Sequence, residues 1–301
     1  MLDVLDLDFQ DTSEVIASYL VRGPAGFVLI ETGPASTFQN LKVKLNLLGI
    51  ELAQISHVLV THIHLDHAGA AGWVARESGA TVHVHHVGAR HLADPSRLLA
   101  SASRIYGDLM DPLWGETIAV PAGQVHALQD GDVIEAAGLR LAAVDTPGHA
   151  YHHMSYLLDG LCFTGDVAGV RLPGQTHLRL PTPPPEIDIP AWKGSLFRLQ
   201  ELQPDRLLPT HFGPVAQTSD PIEHLDAVGQ LLDIYVDFVR QGLQEGFSVE
   251  AIGESFAHWV AEQAAADGAD ADAIARYEVA VPSFMEVPGL IRYLRKFEQT
   301  V

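Results

Sequence analysis

The chain has 301 residues, 47% hydrophobic and 19% charged, which is enough to bury one large core with an appendage. Its 18 basic and 38 acidic side chains leave a net charge of −20, a surface that repels nucleic-acid phosphates and anionic membranes. The single cysteine, Cys162 in Leu161-Cys162-Phe163, excludes an internal disulfide framework and reads as a buried, inert thiol.

The acidic start Met1-Leu2-Asp3-Val4-Leu5-Asp6 lacks a basic region followed by an apolar core, and no apolar run reaches the ~20 residues needed to span a bilayer. A cytoplasmic location is therefore expected. Residues Ile16–Val21 and Phe27–Ile30 read as strands joined by Arg22-Gly23-Pro24-Ala25-Gly26. Thr37–Leu48 reads as an amphipathic helix closed by Gly49, Ile55–Thr61 as a buried strand, and Ala70–Glu77 as a helix ended by Gly79. Thr81–Val87 is another strand. Its period of two puts His83 and His85 on one face, with no carboxylate or cysteine at a suitable spacing, so a structural or rim role is expected rather than a second metal site. Residues 88–123, with Tyr106, Met110 and Trp114 scattered among turn residues, are the least regular part and read as a packed connector.

Strands return at Gln124. Val133–Ala136 pairs with Leu139–Val144 around Ala137-Gly138, and Ser155–Leu158 with Leu161–Thr164 around Asp159-Gly160, a strong hairpin signal. The run Pro181-Thr182-Pro183-Pro184-Pro185-Glu186 is stiff and cannot join a ladder, and reads as a substrate wall or as a tether to the helix Ala191–Leu202. Arg206–Pro209 is a last short strand. Beyond it, Leu225, Val228, Leu231, Leu232, Tyr235, Phe238 and Val239 repeat at helical spacing, and Ala251–Ala266 and Pro288–Phe297 read as further helices around an acidic Asp267–Asp272 turn. Two regions follow: a catalytic domain over residues 1–218 and a helical C-terminal region over residues 219–301.

One stretch carries the chemistry: Val58-Leu59-Val60-Thr61-His62-Ile63-His64-Leu65-Asp66-His67-Ala68-Gly69. At a strand end His62 and His64 point the same way, and Asp66 and His67 join them only if the chain turns. Three imidazoles and a carboxylate suit zinc, iron or manganese. The segment resembles the His-x-His-x-Asp-His motif of the metallo-β-lactamase superfamily. Further matches follow in the order that family shows: Thr146-Pro147-Gly148-His149, Phe163-Thr164-Gly165-Asp166 and Pro209-Thr210-His211-Phe212-Gly213. Glu31-Thr32-Gly33 stands where many relatives have Asp-Thr-Gly, and the longer glutamate is a departure.

The resemblance implies an α/β fold, a four-layer αβ/βα metallo-β-lactamase sandwich with a C-terminal helical appendage. It implies that His62, His64 and His149 hold one metal, that Asp66, His67 and His211 hold the other, and that Asp166 bridges them. Two divalent ions are expected, zinc first, with iron or manganese fitting the same donors. A shared hydroxide would then attack a small ester, thioester or lactone, with Asp66 and Tyr151 as further catalytic residues. His153 resembles a group that orients a ligand in glyoxalase II and lactonase relatives. The alternatives are an iron persulfide dioxygenase-like oxidoreductase with a mononuclear site, and a non-catalytic binding module. The expected partner is a small-molecule substrate rather than nucleic acid or membrane, with a second copy of the chain as a candidate.

Overall fold

The structure is a computed structural model that describes residues 1–215 and 220–297. The expected boundary at 218/219 lies outside the described residues. The chain forms two compact units, one of residues 1–145 and 152–165, the other of residues 146–151 and 166–301. No helix among the described residues is long and apolar enough to cross a membrane.

The first unit holds β1 (Leu2–Asp6), β2 (Ala17–Gly23), β3 (Gly26–Ile30), β4 (Ile55–Leu59), β5 (Thr81–His85) and β6 (Val125–Leu128), hydrogen-bonded in that order. The first three are antiparallel, and β3 to β6 run parallel. Parallel neighbours need crossovers, supplied by α1 (Phe38–Leu47), α2 (Leu65–Ala68), α3 (Ala71–Ser78), α4 (His86–Ala93), α5 (Ser96–Tyr106) and α6 (Met110–Trp114). A second sheet contains β7 (Val133–Ala136), β8 (Leu139–Asp145), β9 (Met154–Leu158) and β10 (Leu161–Gly165), all antiparallel. Both expected hairpins form, with positive φ at Ala137 and Gly138 and at Asp159 and Gly160, the backbone that tight two-residue turns require. The sheets meet through buried aromatics. Tyr19 meets Phe163 edge-on at 5.4 Å, and Tyr156 Oη donates to Val60 O at 2.8 Å.

Residues 88–123 differ from their reading as an irregular connector, because α4, α5 and α6 occupy most of them. Only Ala102 of α5 is buried, although Leu98, Leu99, Ala102 and Ile105 recur at helical spacing. Trp114 is the anchor of this stretch, stacked on Phe9 at 5.7 Å and edge-on to Tyr106 at 5.0 Å. β1 is an edge strand whose sequence alternates acids with Leu and Val, a pattern with no strand signal of its own.

The second unit holds α7 (Ile189–Glu201), β11 (Arg206–Pro209), α8 (Pro221–Gln244), α9 (Val249–Ala266), α10 (Ala271–Ala280) and α11 (Ser283–Phe297). Asp220 caps α8 by accepting from the backbone of Ile222 and Glu223, with Pro221 at the first helical position. The expected stripe is buried at Leu225, Val228, Leu232, Tyr235 and Val239. The expected acidic turn forms over residues 267–270, and α10 follows it directly. Asp270 caps it by accepting from Ala273 N, so the acidic cluster starts a helix. Arg179 sits 2% exposed and donates to Glu278 Oε1 of α10 at 2.7 Å and to Glu286 Oε2 of α11 at 3.0 Å. Tyr277 is core: its Oη donates to His177 O and accepts from Leu172 N.

His224 gives a pH test of this unit. Its Nε2 meets Ala168 O at 2.8 Å, and burial pushes its pKa down to about 4. The folded chain thus keeps it neutral, whereas the unfolded chain protonates it below about 6.5. Its contribution is present at pH 7 and is lost as pH falls from 6.5 through 4, roughly 3 kcal/mol in all. Denaturant unfolding across that window should show a shallower pH slope in His224→Gln than in the unmodified chain.

Candidate metal centre

In the first unit the strand feeding the motif ends at Leu59, two residues before the expected Thr61. The ladder stops because Glu31 takes over as acceptor. This residue follows β3 in left-handed backbone (φ 62°) and is 1% exposed. Its Oε1 accepts from Thr61 Oγ1 at 2.5 Å and from Thr61 N at 3.3 Å, and it faces His67 Nδ1 at 3.2 Å. A buried carboxylate is costly without such donors.

These contacts fix ring tautomers. Thr61 Oγ1 gives its proton to Glu31, so it accepts from His62 Nδ1 at 3.1 Å. His62 then presents Nε2 as a lone pair, 2.9 Å from His64 Nδ1. His67, with Nδ1 held by Glu31, turns Nε2 toward Asp66 Oδ2 at 3.6 Å. The short helix α2 makes this possible, because its turn carries Asp66 and His67 back beside the strand end. The rings of His62 and His67 lie 4.0 Å apart, and the buried His153 ring lies 5.0 Å from His62. His152 is also buried, 6.1 Å from His62 ring to ring.

The second unit repeats the device. His149 Nδ1 donates to Pro181 O at 2.9 Å, which leaves Nε2 facing Asp166 Oδ2 at 3.3 Å. The other carboxylate oxygen, Oδ1, faces His211 Nε2 at 3.7 Å. Gly148 precedes this histidine for a steric reason: a Cβ there would lie 2.3 Å from Trp192 Cα. Trp192 in turn donates Nε1–H to Val167 O at 2.7 Å and meets the His149 ring edge-on. Tyr151 is 42% exposed, and its Oη accepts from Lys296 Nζ at 2.5 Å.

In each unit imidazole nitrogens and carboxylate oxygens face one another across 2.9–3.7 Å, with the Nδ1 protons of His62, His67 and His149 turned to the rear. Like-natured electron pairs at that range fit a shared cation. The nitrogen and oxygen donors are those of a divalent transition ion.

Residues 12–211 match the profile of the metallo-β-lactamase superfamily. The chain belongs to this superfamily. It is 29% identical over 206 residues to a metallo-β-lactamase fold-containing protein of Sulfurisphaera tokodaii, covering 67% of this chain and 75% of that protein. A hydroxyacylglutathione hydrolase of Aeromonas hydrophila is 28% identical over 49% of this chain, and an atrochrysone carboxyl ACP thioesterase of Aspergillus fumigatus is 28% identical over 52%. The match spans only 44% and 30% of those two proteins. Among solved structures, a metallo-β-lactamase family protein of Thermus thermophilus superposes with a TM-score of 0.67 at 22% identity, covering 98% of this chain and 93% of that one. The metallo-β-lactamase fold with a helical C-terminal region is therefore shared.

Glu31 is the residue whose part the sequence left open, and its contacts make it an orienting group for His67 and, through Thr61, for His62. Glu31→Ala should weaken metal binding about 10–100-fold while the far-ultraviolet circular dichroism stays unchanged. Metal titration followed by mass spectrometry checks this, and unaltered affinity would remove Glu31 from the site.

Proposed function

We propose that this metallo-β-lactamase superfamily member is a metal-dependent hydrolase of small acyl compounds, with thioesters first among esters, thioesters and lactones. The observation that supports it most is the fixed tautomer of His62, His67 and His149, each with Nδ1 held from behind and Nε2 presented forward. In this reading His62, His64 and His149 would hold one divalent ion, Asp66, His67 and His211 would hold a second, and Asp166 would serve both. Zinc is the first choice, with iron or manganese suited to the same donors. Bound ions supply Lewis acidity, which polarises a carbonyl and acidifies water.

The chain's own groups do the rest. Asp66 is only partly buried and carries a carboxylate at the start of α2, so its Oδ atoms can take the proton of attacking water. Tyr151 Oη accepts from the Lys296 ammonium, which leaves its own proton to donate to a substrate oxygen as negative charge grows there. No covalent nucleophile is needed. Cys162 is fully buried, and burial pushes its thiol up to about 12, so it is not a thiolate at neutral pH.

Substrate class follows from charge as well as from the relatives whose names read hydrolase and thioesterase. Arg292, Arg295 and Lys296 of α11 line a cleft of about 440 Å³ whose other walls are Val249, Pro288 and Ile291. Among the described residues, Arg22, Lys42, Lys44, Arg179, Lys193 and Arg240 sit on carboxylates. These three have no carboxylate partner among the described residues. An anionic leaving group with an apolar stem suits them. The partner is accordingly a small molecule, and the acidic surface disfavours nucleic acid and bilayers.

Two measurements test the reading. Asp166→Ala should lose metal along with turnover, and a variant that keeps its full metal content would show that this carboxylate does not hold the ions. One acyl group carried on a neutral thiol, on glutathione and on coenzyme A should show kcat/KM at least about 10-fold higher for the two anionic carriers. That gain should vanish in Arg292→Gln/Arg295→Gln while the neutral thioester is turned over as before. Absence of hydrolysis across esters, thioesters and lactones would end the proposal.

A further inference from the structure

Outside the candidate metal centre, histidines gather once more, on the first sheet where β4, β5 and β6 run side by side. Sequence spacing pairs His83 with His85, but the two have different surroundings. His85 Nε2 faces Asp145 Oδ1 at 3.4 Å, and its Nδ1 accepts from Val87 N at 3.2 Å. His83 Nε2 lies 3.0 Å from His57 Nδ1, and the His83 and His126 rings are 5.1 Å apart. Parallel register creates this set. His126 stands opposite His83, and His57 stands two residues before Leu59, the residue on β4 that pairs with His83. An offset of two keeps a side chain on the same face of a strand.

The surroundings of the three rings are unusual for so acidic a protein. No carboxylate bonds to His57, His83 or His126 among the described residues. Burial lowers the pKa of His57 and pushes His83 down to about 3, helped by the neighbouring histidines. His83 is therefore a neutral imidazole with a lone pair to offer, and its buried Nδ1 has no hydrogen-bond partner among the described residues. The 3.0 Å between His57 Nδ1 and His83 Nε2 is close to the ~3.3 Å edge of a tetrahedron with zinc–nitrogen bonds of about 2.0–2.1 Å. His126 is exposed on the edge strand, so its ring can turn to complete the triad.

We propose that His57, His83 and His126 form a separate surface site for a borderline divalent transition ion such as zinc, nickel or copper. Three imidazoles and no carboxylate select that class over magnesium or calcium, which take oxygen donors. The fourth position is left to water. Two of the three nitrogens already sit at ligand spacing, so binding requires the proton shared between His57 and His83 to move to an outer ring nitrogen and the exposed His126 ring to turn.

The test compares the full chain with His57→Asn, His126→Asn and the double variant, each equilibrated with stepped free Zn²⁺ and counted by mass spectrometry. His83 is left in place because it lies inside the sheet. The unmodified chain should take up one zinc more than the double variant, and His126→Asn should bind that ion at least about 10-fold more weakly. Any hydrolytic turnover should be equal in all four proteins, because these residues lie outside the catalytic set. Equal zinc counts in the unmodified chain and the double variant would overturn the proposal, whether the shared count is low or high. Because the count is a difference between proteins with identical centres at His62 to His211, it reads this site independently of what those residues hold.

Discussion

A neutral imidazole has one ring proton, and whatever takes that proton decides which nitrogen faces forward. That constraint organises this protein. Glu31, Thr61 and the Pro181 carbonyl each stand behind a histidine and take its Nδ1 proton. The arrangement is demanding, because Glu31 is a buried carboxylate whose desolvation would cost several kcal/mol without donors. Thr61 N, Thr61 Oγ1 and His67 supply them, and the end of β4 is placed so that they can. A single side chain therefore joins β3, the strand carrying the motif and α2. The longer glutamate in place of aspartate reaches all of these groups.

What could be read from the sequence follows from how local each signal is. The motif from His62 to His67 is contained in six positions, and the hairpins at Ala137-Gly138 and Asp159-Gly160 announce themselves through residues that tolerate positive φ. The stripe of α8 was equally legible, since Leu225, Val228, Leu232 and Tyr235 recur at helical spacing. α5 was not, because its period in Leu98, Leu99, Ala102 and Ile105 is short and set among the turn residues of 88–123. α10 was hidden by Asp267, Asp270 and Asp272, residues that favour turns and helix starts alike. The partners of His83 were out of reach for another reason. His57 and His126 lie 26 and 43 positions away, and only the parallel register of three strands brings them together.

The proline run was open between a wall and a tether, and its contacts give it a third character. Pro181 O accepts from His149, Thr182 Oγ1 donates to Glu286 O, and Pro185 O accepts from Arg292 Nε. Glu186 accepts from Tyr151 N at 3.4 Å. Prolines lack the N–H that a sheet would use, so their carbonyls remain available to side chains on either hand. The run is thus a stiff strip with His149 bonded at one end and α11 at the other. Displacement of α11 would be transmitted to His149 through bonds rather than through solvent.

Arg179 bears on how this superfamily member could be re-engineered. Its guanidinium is almost wholly enclosed, neutralised by one carboxylate from α10 and one from α11. Removing one partner from such a buried group typically costs about 3–5 kcal/mol, a large share of a domain's stability. The last two helices therefore cannot be exchanged as a cassette for those of a relative with another substrate. A graft that brings in foreign helices must also bring the segment around Arg179, or else replace the guanidinium with an apolar side chain of similar volume. The unit of inheritance here is the helix pair together with the loop it neutralises.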